Sequence, residues 1–376
     1  MSGRLARVAE GVLAKCPGNA PPGFLLGVQS PTGEQIIALG SRTVAESTGG
    51  LSGLDAMTRS TSHDLASVTK IVATTTALIR LASQGVIRLD AAVRDFLPTF
   101  GASSRSISVR DLLYHRSGLW EWQPLYVFGS EKARAWDFID RLPVRYQPGH
   151  ETHYSDLGFM LLGRIIEVVT AERFDRAIAE LVLRPLGLSE TTFRHPVGSD
   201  ISTGALDDRA ERAMLDNQAP YPVGPASSSF ARWRTSQIHG DVVDGNAFHV
   251  FDGVSGHAGL FSTAPDLLRF VKTLASFEDH AELWKPDVAA HFFNAGPNAS
   301  QGLGFRRYTF TDRDRPVTVV GHSGYVGVAV GFIPGTGRGF VMASNRLLVT
   351  STPASTESLW MDSLLGLAAA GLVMPR

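Results

Sequence analysis

The sequence predicts an α/β (α+β) chain in which an antiparallel sheet, flanked by N- and C-terminal helices, is joined to a mainly helical lobe. Three observations carry this. FLLGVQSPTGEQIIALGS near the start reads as a hairpin, and VTVVGHSGYVGVAVGFIPGTGRGFVMASNR near the end alternates apolar residues with Gly-rich turns, the pattern of antiparallel strands. Between them, apolar residues recur at helical spacing in VTKIVATTTALIRLASQ (68–84) and DLGFMLLGRIIEVVT (156–170).

In chain order, MSGRLARVAEGVLAKCPG reads as an amphipathic helix with charges throughout. The hairpin follows, and its sheet is completed by strands after residue 301, with TESLWMDSLLGLAAAGL as a closing helix. Residues 1–80 and 275–376 therefore form one α/β lobe and residues 81–274 a mainly helical lobe, a single catalytic unit with its site in the cleft. PVGPASSSFARW (222–233) is the most loop-like stretch and is placed to fold over that cleft.

Composition narrows the class. With 376 residues, 44% hydrophobic, 19% charged and a net charge of −1, the chain has ample core and no basic surplus for nucleic acid. No apolar run approaches the roughly 20 residues of a membrane span, and the N-terminus lacks the apolar stretch and cleavage site of a signal peptide. The single Cys16 forms no internal disulfide and no Cys/His spacing suits zinc. A cytoplasmic chain without metal or cofactor is expected, with a small-molecule ester or amide as its partner.

Three strings carry the chemistry. In Ser67-Val68-Thr69-Lys70 a hydroxyl and an amine stand at i and i+3 on one helix face, with Ser67 at the helix start where the dipole favours negative charge. Only five of the 35 basic residues are lysines, so Lys70 is a selective choice, and a base at this position needs an amine whose pKa is pulled well down. A Ser N-cap followed by a solvated lysine is the bland alternative. Tyr154-Ser155-Asp156 puts a phenol just ahead of the second helix, suited to proton transfer or to one buried hydrogen bond. His322-Ser323-Gly324 lies in the strand region: His322 is expected on an edge strand, and Gly324 lets the backbone approach a ligand so that the Tyr325 N–H joins that of Ser67 as an oxyanion hole.

The three strings, in this order, resemble the class C β-lactamase-like branch of the penicillin-binding-protein/β-lactamase superfamily, including its family VIII esterase-like members. LLYHRSGL (112–119), PLGLSET (185–191), GVSGHAGLFSTAPDLLRF (253–270) and SNR (344–346) extend the resemblance over most of the chain. It implies a β-lactamase/transpeptidase-like fold, an acylated nucleophile at Ser67, a partner amine at Lys70, a general base at Tyr154, and His322 where β-lactamases carry lysine. Asp156 replaces an asparagine that touches the substrate's acyl amide. That aspartate would hold Lys70 protonated and shift the base role to Tyr154. GDVVDGNAF (240–248) carries Val243 where the family usually has histidine; Asp244 and Asn246 read as a capped loop, and His257 as a residue that steadies the loop around the site.

The expected activity is a serine hydrolase, most simply a carboxylesterase. D-amino acyl or peptide amidase, acyltransferase and weak β-lactamase activities, and a non-catalytic binding protein, are the alternatives. Asp156, Ser323, Gly324, Trp120, Trp122 and Tyr126 are the expected substrate contacts, the aromatic residues as an apolar wall or as ordinary core. Arg346 is expected to pair with the C-terminal helix or with a substrate carboxylate.

Overall fold

A computed structural model describes residues 2–44, 55–101, 106–194 and 200–374. Its strands are β1 (Gly23–Ser30), β2 (Gly33–Gly40), β3 (His63–Asp64), β4 (Thr192–Phe193), β5 (Leu260–Ser262), β6 (Arg306–Asp312), β7 (Arg315–Ser323), β8 (Ala329–Ile333) and β9 (Arg338–Ser344). Six form one antiparallel sheet in the order β2-β1-β9-β8-β7-β6, so strands from both ends of the chain share it. β3, β5 and β4 make a second, small antiparallel sheet.

The central strands β1, β8 and β9 are buried on both faces, and the period-2 alternation of side chains sorts their residues. Phe24, Leu26 and Val28 pack with Leu5, Val8 and Val12 of the helix Ser2–Ala14 and with Trp360, Leu364 and Leu367 of the helix Thr356–Ala369. Leu25, Val330 and Val341 belong to the other core, which holds the helical lobe. The helix Ala264–Ala275, counted with the helical lobe from the sequence, lies on this face of the sheet: a Cβ on Gly27 would stand 3.2 Å from Leu268, and one on Gly339 2.3 Å from Val271.

Two segments from the helical core carry candidate residues, the first of them packing against β7. The first winds from a 3₁₀ turn at Ala66–Val68 through a π-helical stretch at Lys70–Thr75 into an α-helix at Thr76–Ser83. It is a less regular start than helical periodicity implies, and such wide turns are frequent at functional sites. The second is the helix Asp156–Thr170, capped by the Ser155 hydroxyl, which accepts from the Gly158 amide at 3.1 Å. Gly256 is required where the 255–258 loop crosses this helix, since a Cβ there would lie 2.2 Å from the Phe159 carbonyl oxygen. No described helix is long and apolar enough to cross a membrane.

Candidate active site

Ala66, immediately before Ser67, has φ +43, a left-handed conformation that is strained for alanine. Asp64 holds the turn: one carboxylate oxygen accepts from the Ala66 amide and the other from the Val243 amide, each at 2.8 Å. Burial pushes the Asp64 carboxyl up to about 6, against the pull of those two amides. Nothing in the sequence around Asp64 marks it. The first intrahelical bond runs from the Val68 amide to the Leu65 carbonyl at 2.9 Å, so the Ser67 amide sits ahead of it in the first turn, where amides lack helical partners.

Lys70 is fully buried, and its ammonium meets three groups: the Ser67 hydroxyl at 2.8 Å, the His257 carbonyl at 3.2 Å and Asp156 Oδ1 at 2.7 Å. The solvated-lysine alternative is thereby removed. The amine's charge state departs from what a lysine base requires. Burial lowers the pKa, but Asp156, helped by Tyr154, outweighs it and holds the amine above its ordinary value. Asp156 thus acts as the counter-ion of Lys70, as its replacement of asparagine implies.

Tyr154 stands directly before the helix, as expected. Two cations lie near its ring, with Lys70 Nζ and the Arg306 guanidinium carbon each 5.0 Å from the ring centroid, and its buried hydroxyl makes no hydrogen bond of ordinary geometry among the described residues. Arg306, at the start of β6, drew no notice in the sequence because it reaches Tyr154 only through sheet pairing.

His322 is not on an edge strand. β7 pairs with both β6 and β8, and His322, opposite Val330, lies one residue past the last β6 pair, Arg306 with Gly321. Fully buried, it has Nδ1 2.7 Å from the Ser323 carbonyl; a carbonyl only accepts, so Nδ1 carries the proton. Burial, with the charges of Arg306 and Lys70, keeps this imidazole neutral. Gly324 does permit a close approach, but to the turn that precedes Ser67: a Cβ would lie 2.5 Å from the Leu65 carbonyl oxygen. The Tyr325 side chain is 52% exposed, and Arg346 anchors its backbone by donating to the Tyr325 carbonyl at 2.8 Å and to the Ala354 carbonyl at 3.0 Å. Arg346 is thus committed to backbone just ahead of the C-terminal helix. Ser323 donates to Glu357 at 3.0 Å and faces that helix too.

Ser67, Tyr154, Asp156, Trp122 and Tyr325 line one cavity of about 650 Å³, with Met214, Val326, Leu347, Val349 and Pro353 supplying an apolar wall. Trp120 and Tyr126 are not among its lining residues. Trp120 donates to the Pro143 carbonyl at 3.0 Å and packs edge-on against Tyr221. Tyr126 is core: it donates to Glu211 at 2.7 Å and packs against Phe230 and Trp233, so the 222–233 stretch is tucked against Tyr126.

Asp244 caps the helix Gly245–His249 by accepting from the Ala247 amide at 2.7 Å, and Asn246 ties down the Gln123 carbonyl and the Leu125 amide, the loop-holding roles read from the sequence. His257 Nε2 lies 3.0 Å from Asp244 and its Nδ1 2.8 Å from the Ser255 hydroxyl. Asp156, Asp244 and His257 present donor atoms within 4.8 Å of one another, the one such grouping among the described residues; the charge Asp156 needs is already supplied by Lys70.

Glu211, on the cavity wall, accepts from the Tyr126 hydroxyl and the Gly245 amide, each at 2.7 Å. Burial, then Asp244, pushes its carboxyl up to about 8. An unfolded chain releases that proton near 4.5, so between there and about 8 the folded state binds more protons, and stability falls as pH rises through that window and levels off above it. Glu211→Gln, with no proton to lose, should flatten this slope. Melting temperatures of the two proteins from about pH 5 to about pH 9 are the check, and parallel curves would contradict it.

A family model described as Beta-lactamase matches residues 30–358. The chain belongs to that family. This family member is 31% identical over 345 residues to an Escherichia coli K12 protein named "Putative D-alanyl-D-alanine carboxypeptidase", covering 85% of the chain and 77% of the relative. Among solved structures it superposes on EstCE1, a hydrolase with promiscuous acyltransferase activity, with a TM-score of 0.69 at 21% identity, covering 98% of each chain. It also superposes on a class C beta-lactamase from Rhodobacter sphaeroides, with a TM-score of 0.68 at 19% identity, covering 97% of this chain and 99% of the other. The β-lactamase/transpeptidase-like fold expected from the sequence is the fold observed, and the chain is a β-lactamase-fold serine hydrolase.

Proposed function

We propose that this chain is a carboxylic ester hydrolase that forms an acyl-enzyme at Ser67. In this reading Tyr154 acts as a phenolate, its charge met by Lys70 and Arg306 placed 5.0 Å from its ring, and it takes the Ser67 proton to become the phenol as Oγ attacks the ester carbonyl. The Ser67 and Tyr325 amides receive the oxyanion. The same phenol returns its proton to the leaving alkoxide, and a water then repeats the sequence on the acyl-enzyme.

The observation that carries the ester preference is the Lys70–Asp156 contact at 2.7 Å. Amide and β-lactam substrates call for a donor to the acyl amide oxygen and a cation for the carboxylate. At the corresponding positions this site offers a carboxylate engaged by Lys70 and a buried neutral imidazole, and an ester makes neither demand. The cavity's apolar wall suits an uncharged acyl or aryl group.

The E. coli relative's name favours a second reading, cleavage of D-alanyl-D-alanine peptides. One panel separates the two. The kcat/KM for short-chain aryl esters should exceed that for nitrocefin and for D-alanyl-D-alanine peptides by at least about a hundredfold, equivalent to about 2.7 kcal/mol. Asp156→Asn combined with His322→Lys should narrow the nitrocefin gap. Peptide turnover matching the ester rate would establish the second reading instead.

A further inference from the structure

His115, in the LLYHRSGL segment, contacts Tyr154 and both of its chain neighbours at once. It is 2% exposed with φ +55, a left-handed conformation that histidine and asparagine adopt more readily than most residues. That conformation turns backbone and side chain of one residue toward the 153–155 segment. The His115 carbonyl accepts from the His153 amide at 2.8 Å, and its Nδ1 accepts from the Ser155 amide at 3.0 Å. Between these two anchors the Tyr154 ring lies against the imidazole, centroids 4.5 Å apart and planes tilted by 40°. On its other contact the imidazole meets Phe159, one turn into the following helix, at 5.2 Å.

Since Nδ1 accepts, the neutral ring carries its proton on Nε2. Burial and the charges of Lys70 and Arg306 oppose a second proton, which would displace the Ser155 amide from Nδ1. Nε2 has no hydrogen-bond partner among the described residues, so the ring contributes an acceptor and a flat face.

We propose that His115 is the positioning residue for Tyr154: by holding the amides on either side of the tyrosine and supporting its ring, it fixes the phenol in line with Ser67. This rests on the proton-transfer role given to Tyr154 above. The clamp explains how a residue lying just outside the helix, with its hydroxyl otherwise unanchored, keeps one orientation. A misplacement of about 1 Å at such a group costs on the order of a hundredfold in rate.

The test compares His115→Gly and His115→Asn, alone and with Tyr154→Phe, by ester hydrolysis per folded molecule, with folding verified by thermal unfolding. Glycine tolerates the backbone conformation but removes the acceptor and the ring. Asparagine also tolerates it, and its Oδ1 falls near the place of Nδ1. His115→Gly should lower kcat about a hundredfold with KM within about threefold, and His115→Asn should recover to within about fivefold of the parent. In the Tyr154→Phe background His115→Gly should cost less than about threefold more, because the group it positions is gone. Should His115→Gly not fold, His115→Gln, whose carbonyl lies one bond too far out to replace Nδ1, takes its place with the same expectations. The clamp is overturned if the glycine variant keeps its kcat, if asparagine rescues nothing, or if the full loss recurs in the Tyr154→Phe background. Unchanged kcat in Tyr154→Phe alone would instead remove the role of Tyr154, and the clamp's catalytic purpose with it.

Discussion

Ser67→Ala is expected to abolish acyl-enzyme formation and lower kcat/KM for esters by about 10⁴-fold or more, the scale seen when a serine nucleophile is removed. The fold should survive the change. Ser67 contributes one hydrogen bond, from Lys70 at 2.8 Å, and the ammonium keeps Asp156 and the His257 carbonyl as partners. Loss of a single such bond costs on the order of 1 kcal/mol. Intact-mass spectrometry after a slow phosphonate should show one adduct on the parent protein, located on the peptide containing Ser67, and none on the variant. An adduct that persists in Ser67→Ala would place the nucleophile elsewhere.

Lys70→Met is expected to damage stability and turnover together, and a second substitution separates the two effects. The Lys70 side chain is 0% exposed and that of Asp156 18%, so removing the ammonium leaves a mostly buried carboxylate without its counter-ion. Breaking such a pair costs roughly 3–5 kcal/mol. Adding Asp156→Leu removes the stranded charge, and replacing both members of a buried pair by apolar groups is often neutral for stability. The double variant should therefore regain most of the denaturant midpoint lost by Lys70→Met while recovering no ester hydrolysis. A single variant as stable as the parent would mean the ion pair does not support the fold. A double variant that turns over would mean that Lys70 serves only to neutralise Asp156.

Much of the site was legible because its signals are local. Ser67 and Lys70 are three residues apart, so any helical winding brings them onto one face, and the 2.8 Å contact survives even though the segment is part 3₁₀ and part π rather than regular α-helix. Tyr154 was placed by the apolar stripe of the helix that follows it. The hairpin was readable as the segment FLLGVQSPTGEQIIALGS, and the observed register closes on Ser30 opposite Gly33, with Pro31-Thr32 as the connection.

What stayed hidden depends on contacts between distant segments. The aromatic residues of 118–129 look alike in sequence, yet Trp122 lines the cavity, Trp120 packs on Tyr221 and Tyr126 is buried against Glu211, because each exposure is set by elements about a hundred residues away. The strand that carries His322 reads as an edge strand until β6 pairs along it, up to Gly321.

The sequence by itself placed Ser67, Lys70 and Tyr154 in one candidate site and marked the hairpin, since spacing and periodicity act within a few residues. Only the tertiary structure decided the charges and orientations. Burial alone would lower the Lys70 amine, but the Asp156 carboxylate delivered by another helix raises it; burial beside Arg306 and Lys70 keeps His322 neutral; and a loop forty residues upstream grips the backbone around Tyr154. Charge states follow from the local dielectric and from neighbouring charges, and both exist only once the chain has packed.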